Sequence, residues 1–185
     1  MWLEEQLEQE LMKYPILQYA VLDTSQVSFL DRVRVICQQE CPRYGTSWSC
    51  PPAVGTVEEC KARCRAFEKL FVFSTIAEVN DITNLEETLA TRREHERITR
   101  EVETLFQKRF GETLTLSTES CDLCEQCAYP YEPCRHPEKM FPCVESYGIL
   151  VTDLAQLGGL EFMNGANVVT WFSVIFYKKG FDNLE

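Results

Sequence analysis

The sequence predicts an α/β or α+β fold, in which a mixed β-sheet is flanked by helices and carries two cysteine-rich loops. Three observations predict it. Apolar runs of strand length alternate along the chain with longer segments of helical periodicity. Two irregular stretches, residues 37–55 and 121–147, contain eight of the ten cysteines. The chain has 185 residues, of which 45% are hydrophobic, so residues 1–185 are expected to form a single domain with its own core.

The chain begins with a predicted helix and two predicted strands. Apolar residues recur at helical spacing in the acidic segment from Trp2 to Tyr14, and Pro15 ends the pattern. Runs rich in β-branched residues at Tyr19–Leu22 and Arg32–Ile36 predict the first strands. The irregular stretch of residues 37–55 follows, because its prolines and glycines interrupt regular structure.

The middle of the chain contains the clearest helix signals. A capping-box pattern beginning at Thr56 predicts a helix through about Ala66. An apolar run at Leu70–Thr75 has the length of a strand. The segment Asn84–Phe110 is a long helical pattern with mixed charges, and Gly111 is well placed to end that helix.

The last part of the chain contains three further predicted strands. Thr113–Ser117 alternates as a strand does and leads into residues 121–147. A short strand at Ile149–Val151, a short helix from Asp153 and a final strand at Val168–Tyr177 follow. Both cysteine-rich loops leave predicted strand ends. If those strands are parallel neighbours, both loops emerge at one edge of the sheet.

The cysteine count points to a reducing compartment. The chain is long enough to build a core, so it does not belong with small secreted domains that depend on disulfides. The acidic N-terminal segment lacks the features of a secretory signal, and no apolar run approaches the roughly 18 residues of a membrane span. We therefore expect a cytoplasmic protein without a membrane partner, whose closely spaced cysteines are metal ligands or redox thiols.

The charge pattern argues against nucleic acid as a partner. The net charge is −11, and the basic residues are scattered among acidic ones. Nucleic-acid binding requires a clustered positive patch, which this sequence does not show. We interpret the acidic surface mainly as a source of solubility, with the steering of a basic protein partner as the second interpretation.

The strongest chemical signal is the run of Cys121, Cys124 and Cys127, followed by Cys134. Spacing of two residues lets one tight loop supply three ligands of a cubane cluster, and Cys134, after Pro133, is the simplest fourth ligand. In the bacterial ferredoxin pattern the last cysteine follows after about three residues, whereas the gap here is six residues. Zinc is the alternative, because four thiolates suit a tetrahedral site. The three-cysteine run favours the cluster.

A second metal site is predicted at Cys37, Cys41 and Cys50, in a stretch rich in proline and glycine. Cys60 and Cys64 lie one helical turn apart, so either could supply a fourth ligand. The alternative places this pair on the buried face of its helix. Without a fourth protein ligand, one iron of a cluster would be open to a substrate or a small ligand.

Several residues near these sites have two interpretations. Cys143 could replace Cys134 or serve the first site, and His136 is either a nitrogen ligand or a histidine hydrogen-bonded close to the site. His95, in the long charged helix, is expected to be solvated. Four aromatic residues beside the cysteines are expected to shield a cluster from water: Tyr44, Trp48, Tyr129 and Tyr131.

At these residues the chain resembles a family of predicted metal-binding proteins, domain-of-unknown-function family 2284. The resemblance rests on C-x3-C-P-x-Y-G-x4-C-P-P at Cys37 to Pro52, and on C-x2-C-x2-C, C-R-H-P-E and E-S-Y-G-I between Cys121 and Ile149. It spans most of the chain and implies no particular activity. In the family pattern we expect a small polar residue where Cys143 stands. The resemblance implies a metal or iron-sulfur site at Cys37, Cys41, Cys50, Cys121, Cys124, Cys127 and Cys134.

We therefore predict an iron-sulfur protein with one or two 4Fe-4S clusters that exchanges electrons with a redox protein partner. One alternative is an enzyme that uses the three-cysteine cluster with an open iron site. No Gly-rich phosphate loop, metallopeptidase histidine pair or C-x3-C-x2-C triad of radical enzymes supports that alternative. Another is an interaction module stabilised by zinc. The sequence is also compatible with a homo-oligomer.

Overall fold

The computed structural model describes residues 5–179, and within them four strands form one sheet. The strands are β1 (Gln18–Asp23), β2 (Lys69–Glu78), β3 (Thr113–Ser117) and β4 (Val168–Tyr177). Their order in the sheet is β1-β2-β4-β3, and every pairing is antiparallel. The central strands β2 and β4 are rich in β-branched and aromatic residues, which pack well on a pleated surface.

Five α-helices accompany the sheet in this part of the chain: α1 (Glu5–Leu11), α2 (Asp31–Glu40), α3 (Val57–Arg65), α4 (Leu85–Phe110) and α5 (Val151–Gly158). A capping box begins α3. The Thr56 hydroxyl accepts a hydrogen bond from the Glu59 amide, and the Glu59 carboxylate accepts one from the Thr56 amide. The Asn84 side chain caps α4 by accepting from the Glu87 amide, and Gly111 ends the helix.

Helices cover both faces of the sheet. Successive side chains of a strand point to opposite faces, so Phe71 and Val72 of β2 belong to different cores. One core joins the central strands to α1 and α4 through Phe71, Phe73, Ile175, Leu7, Leu11, Ile98, Val102 and Phe106. The other joins them to α3 and α5 through Val72, Phe172, Val174, Phe176, Cys60, Cys64, Leu154 and Ala155. Because both faces are buried, the central strands read as nearly continuous apolar runs.

The predicted fold class, a sheet flanked by helices, is confirmed, and the sheet is antiparallel among the described residues. The final strand has the predicted bounds, Val168–Tyr177. The helix α4 begins one residue after the predicted start, Asn84, and is ended by Gly111 as predicted. The predicted helix from Trp2 to Tyr14 is shorter, since α1 ends at Leu11. The part of that prediction before residue 5 lies outside the described residues.

Two segments predicted as strands are not strands. Arg32–Ile36 lies inside α2, where Val33 is buried while Val35 and Ile36 are 47% and 52% exposed. Burial of one helix face outweighed the strand preference of these β-branched residues, because such propensities are weak compared with packing. In the segment Ile149–Val151, Val151 is already the first residue of α5.

These corrections change how the two cysteine stretches meet. Cys37 lies inside α2, so the first stretch leaves a helix, and no parallel neighbouring strands bring the stretches together. They meet instead beside the end of β3. Ser117 forms an isolated parallel bridge with Cys143, whose amide donates to the Ser49 carbonyl over 3.0 Å. Segments from both stretches therefore lie next to each other at this edge of the sheet.

The longest helix, α4, buries polar residues against the sheet. His95, which we expected to be solvated, is only 1% exposed. Its Nδ1 lies 2.8 Å from Thr75 Oγ1 and its Nε2 lies 2.8 Å from Ser173 Oγ. The prediction was wrong because His95 has charged neighbours in the sequence, although it lies on the buried face of α4. Among residues 5–179, neither α4 nor any other helix combines the length and the apolar character needed to cross a membrane.

Candidate metal centre

Two groups of cysteines line two neighbouring cavities. All ten cysteines lie within the described residues, and all are free thiols. The first group comes from α2 and the stretch after it, and consists of Cys37, Cys41 and Cys50. The second group comes from the stretch between β3 and α5, and consists of Cys121, Cys124, Cys127 and Cys134. The structure therefore gathers the members of each predicted set around a common space.

The second group surrounds a small cavity of about 20 Å³. A volume of this size accommodates about one water molecule. Besides the four thiols, Ser47, Trp48, His136 and Met140 contribute to its wall. His136, whose interpretation was open, thus lies on the same cavity as the four predicted ligands.

Hydrogen bonds stabilise the thiolate form of Cys127. Burial by itself would raise its pKa. The amides of Tyr129, Trp48 and Ala128 and the Ser47 hydroxyl donate hydrogen bonds to its sulfur, and together they lower the pKa of Cys127 below the ordinary thiol value. Because the thiolate is the form that binds metals, this environment suits a ligand.

A buried arginine attaches the start of the second group to α4. Arg92, which is 2% exposed, donates through Nε to the Thr118 carbonyl over 3.0 Å. The same guanidinium lies 3.0 Å from the Glu96 carboxylate and 3.1 Å from the Asp122 carboxylate. Asp122 directly follows Cys121, so these contacts hold the backbone of the first cysteine in this group against the core.

Aromatic residues cover the second group only in part. The rings of Trp48 and Tyr129 meet edge to face with their centroids 4.9 Å apart, and Trp48 Nε1 donates to the Glu132 carbonyl over 3.0 Å. These contacts also join the two cysteine stretches. Tyr44 lines the first cavity instead. Tyr131 is 92% exposed, so the prediction that it shields a cluster is wrong.

The first group lines a larger cavity of about 450 Å³. Cys143, whose role the sequence left open, lines the same cavity. The Cys143 thiol donates to Glu145 Oε2 over 3.0 Å. Glu145 was not among the residues predicted from the sequence. The signal that could have found it is the E-S-Y-G-I motif, which begins at this residue.

Much of the wall of the first cavity is apolar. It includes Val33 and Ile36 of α2 and Trp171 and Phe172 of β4, together with Leu150. Pockets of about 300–1,000 Å³ with apolar walls and few polar groups are typical of small-molecule sites. The first cavity is therefore large enough to hold an organic molecule of modest size.

The thiols of the first group influence one another. Burial raises the pKa of Cys50, while the hydroxyls of Ser120 and Ser49 act in the opposite direction. Burial also raises the pKa of Cys37, and the neighbouring Cys41 adds to that increase. Such thiols stay protonated at neutral pH unless a nearby positive charge stabilises the thiolates. A bound metal ion or cluster would supply that charge.

Three buried serines connect the two groups. Ser49 Oγ lies 2.9 Å from Ser47 Oγ and 3.3 Å from Ser120 Oγ. It also lies 3.7 Å from the sulfur of Cys50, in the first group, and accepts a hydrogen bond of 2.9 Å from the amide of Cys121, in the second group. A single hydroxyl therefore contacts both groups.

Cys60 and Cys64 belong to the hydrophobic core. Both are fully buried in the core that α3 and α5 share, and neither lines either cavity. Cys60 Sγ accepts hydrogen bonds from Arg63 over 3.1 Å and from Arg34 over 3.5 Å. Burial and the nearby Cys60 raise the pKa of Cys64 well above the ordinary thiol value. Their positions favour the buried-face interpretation over a ligand role.

The described residues form no compact site for a single ion. Between residues 5 and 179, no three or more His, Cys, Asp or Glu side chains lie in an arrangement that could hold one metal ion. The assignment of the seven cysteines as ligands stays a prediction.

Most of the chain matches a known protein family. The family model described as "predicted metal-binding protein (DUF2284)" matches residues 20–177. The match includes β1, β4 and everything between them, and thus both groups of cysteines. No curated protein and no solved structure matches the chain.

Proposed function

The chain belongs to the DUF2284 family of predicted metal-binding proteins, and we propose that it is an iron-sulfur protein that transfers electrons. The second group would hold a 4Fe-4S cluster, and the first group would hold another. The observation that carries the proposal is the arrangement of Cys121, Cys124, Cys127 and Cys134 around one cavity.

The ligand types and the spacing of the second group suit such a cluster. Four thiols provide one ligand for each iron, and three of them come from a run with two-residue spacing. The amides that donate to Cys127 resemble the N–H···S hydrogen bonds that tune cluster potentials. Zinc would use the same four thiolates, but it needs only one pair with two-residue spacing. The third cysteine of the run therefore favours the cluster.

The placement of the two groups supports electron transfer. A 4Fe-4S cluster supplies a site that gains and loses one electron. Ser49 contacts both groups, so electrons need to pass only a short hydrogen-bonded path between them. Cys41 is exposed, which places the first group within reach of a docked protein. We therefore propose an electron-transfer path that runs through the two centres to the protein surface.

The proposed partner is a redox protein with a basic docking surface. The net charge of −11 attracts positively charged proteins and accelerates their association at low ionic strength. We place the protein in the cytoplasm, where thiols are kept reduced and available for metal binding.

A second candidate function is an enzyme with an open iron site in the first group. One observation favours it, namely the cavity of about 450 Å³ that adjoins Cys37, Cys41 and Cys50. Its apolar walls could hold a substrate against an iron that lacks a fourth protein ligand. No further catalytic motif in the sequence supports this candidate.

The test is purification under argon, followed by analysis of iron, labile sulfide and zinc. The proposal predicts a brown protein with broad visible absorption, iron and sulfide in equal amounts, and an EPR signal after reduction by dithionite. Reoxidation should restore the original spectrum. A colourless, folded protein containing stoichiometric zinc would instead identify a zinc-stabilised interaction module.

A further inference from the structure

We propose that Cys143 is the fourth protein ligand of the first group and completes the set begun by Cys37, Cys41 and Cys50. The inference rests on the proposed function, since it requires that this group bind an iron-sulfur cluster. It goes further because a fourth thiolate would occupy the iron coordination position that the enzyme candidate requires to be open.

The backbone places Cys143 beside the first group. Its amide donates to the carbonyl of Ser49 over 3.0 Å, so it lies next to the residue that precedes Cys50. Both neighbours of Cys143 are held by Ser117 at the end of β3. The Ser117 amide donates to the Pro142 carbonyl over 3.1 Å, and the Val144 amide donates to the Ser117 carbonyl over 2.9 Å. Cys143 is thus fixed to the sheet on one side and to the first cysteine stretch on the other.

The positions of the other candidate cysteines place them outside the first cavity. Cys60 and Cys64 are fully buried in the core and line neither cavity. Cys134 lines the small cavity of the second group. Among the ten cysteines, all of which are described, only Cys143 joins the three predicted ligands on the wall of the first cavity.

The side chain of Cys143 also faces the first cavity. Its sulfur lies 3.0 Å from Glu145 Oε2, and both side chains line the cavity wall together with the three predicted ligands. A fourth thiolate makes the first centre an electron carrier, because every iron then has a protein ligand.

The inference is tested with Cys143→Ala, Cys143→Ser and the matched control Cys64→Ala, all purified under argon as full-length protein. Cyanide serves as the probe, because it binds an iron that lacks a protein ligand. The EPR spectrum of reduced wild-type protein should not respond to cyanide. Cys143→Ala should either lose about half of the iron or acquire a spectrum that cyanide changes. Cys64→Ala should match the wild type in both respects.

Cys143→Ser separates ligation from a structural role. A serine oxygen can replace the thiolate, so this variant should keep its iron while the EPR signal of one centre shifts. The inference is overturned if Cys143→Ala and Cys143→Ser both keep wild-type iron and spectra, or if cyanide already changes the wild-type spectrum. It is also overturned if Cys143→Ala loses iron only through unfolding, shown by circular dichroism, while Cys143→Ser has the wild-type spectrum. A wild-type protein without iron would instead refute the proposed function itself.

Discussion

The amide of Cys121 donates a hydrogen bond of 2.9 Å to the hydroxyl of Ser49, although the two residues are 72 positions apart in the sequence. Ser49 precedes Cys50, so this contact joins the first and second groups of cysteines. It shows that the two predicted metal sites are parts of one structural unit and that their stabilities should be coupled.

Replacing Ser49 by alanine should destabilise this unit. The variant leaves the Cys121 amide without its acceptor, and an unsatisfied buried polar group costs about 1–3 kcal/mol. We expect the free energy of unfolding to fall by that amount in urea titrations under argon, and the iron of both centres to become easier to remove with a chelator. Ser25→Ala, at an exposed position, is the control and should behave as the wild type. Unchanged chelation kinetics in Ser49→Ala would show that the groups are independent.

Gly148 should not tolerate alanine. Its φ angle is 76°, and an added Cβ would lie 2.9 Å from Val57 Cγ1 and 3.2 Å from the backbone of Leu30. The left-handed conformation and the overpacking together should cost about 2–4 kcal/mol. The Leu30 amide also donates to the Gly148 carbonyl over 2.7 Å. Displacement of the backbone at residue 148 by the added Cβ should therefore move α2 relative to Glu145.

Gly159 is the matched control for this change. Its φ angle is 66°, but no atom lies within 4 Å of an added Cβ. Gly159→Ala should therefore lower the free energy of unfolding only by the cost of the left-handed backbone conformation, about 1–2 kcal/mol. Chemical denaturation of the two variants measures the difference, and equal losses would show that the contacts with Val57 and Leu30 relax without cost.

Replacing Cys124 by alanine should remove the second centre. We expect about half of the iron and sulfide to be lost, together with a lower melting temperature, because metal binding and folding are coupled in irregular segments. Cys64→Ala is the control. It removes a core thiol, so it should lower stability slightly and leave the iron content unchanged. Wild-type iron in Cys124→Ala, measured colorimetrically on anaerobic samples, would contradict the assignment of this ligand.

His95 should make stability depend on pH. Burial, together with the positive charge of Arg92, lowers the pKa of His95 from 6.5 to about 3, although a hydrogen bond involving the Phe172 backbone acts in the opposite direction. The folded protein keeps this histidine neutral, whereas the unfolded chain binds a proton below pH 6.5. The contribution of His95 to the free energy of unfolding is therefore complete above pH 6.5. It is lost as the pH falls toward 3, by up to about 1.4 kcal/mol per pH unit.

The His95→Gln variant tests this contribution, because glutamine does not titrate. Urea unfolding of both proteins at several pH values between 7 and 4 should show a smaller pH slope for the variant in this range. The metal ligands titrate equally in both proteins, so the difference between the two slopes isolates His95. Parallel slopes would show that the buried histidine contributes nothing to the acid sensitivity.

Local signals explain which elements could be predicted. The caps at Thr56, Asn84 and Gly111 lie within a few residues of the helices they limit, so they can be read from the sequence. The helix α2 was missed because Val33 and Ile36 favour strands locally, whereas its one buried face depends on distant residues. His95 was misjudged for a similar reason, since Thr75 and Ser173 become its partners only in the folded chain.

The sequence by itself predicted which cysteines belong to each ligand set, because thiols that bind one metal centre from a single loop must lie close together along the chain. It also determined the fold class and most strand positions through hydrophobic periodicity. Only the tertiary structure decided that Cys60 and Cys64 belong to the core and that Cys143 faces the first cavity. The same holds for the contact of Ser49 with both groups. Each of these results depends on contacts between residues far apart in the chain. Such contacts are set by the packing of helices and strands, so they cannot be inferred from the spacing of residues along the sequence.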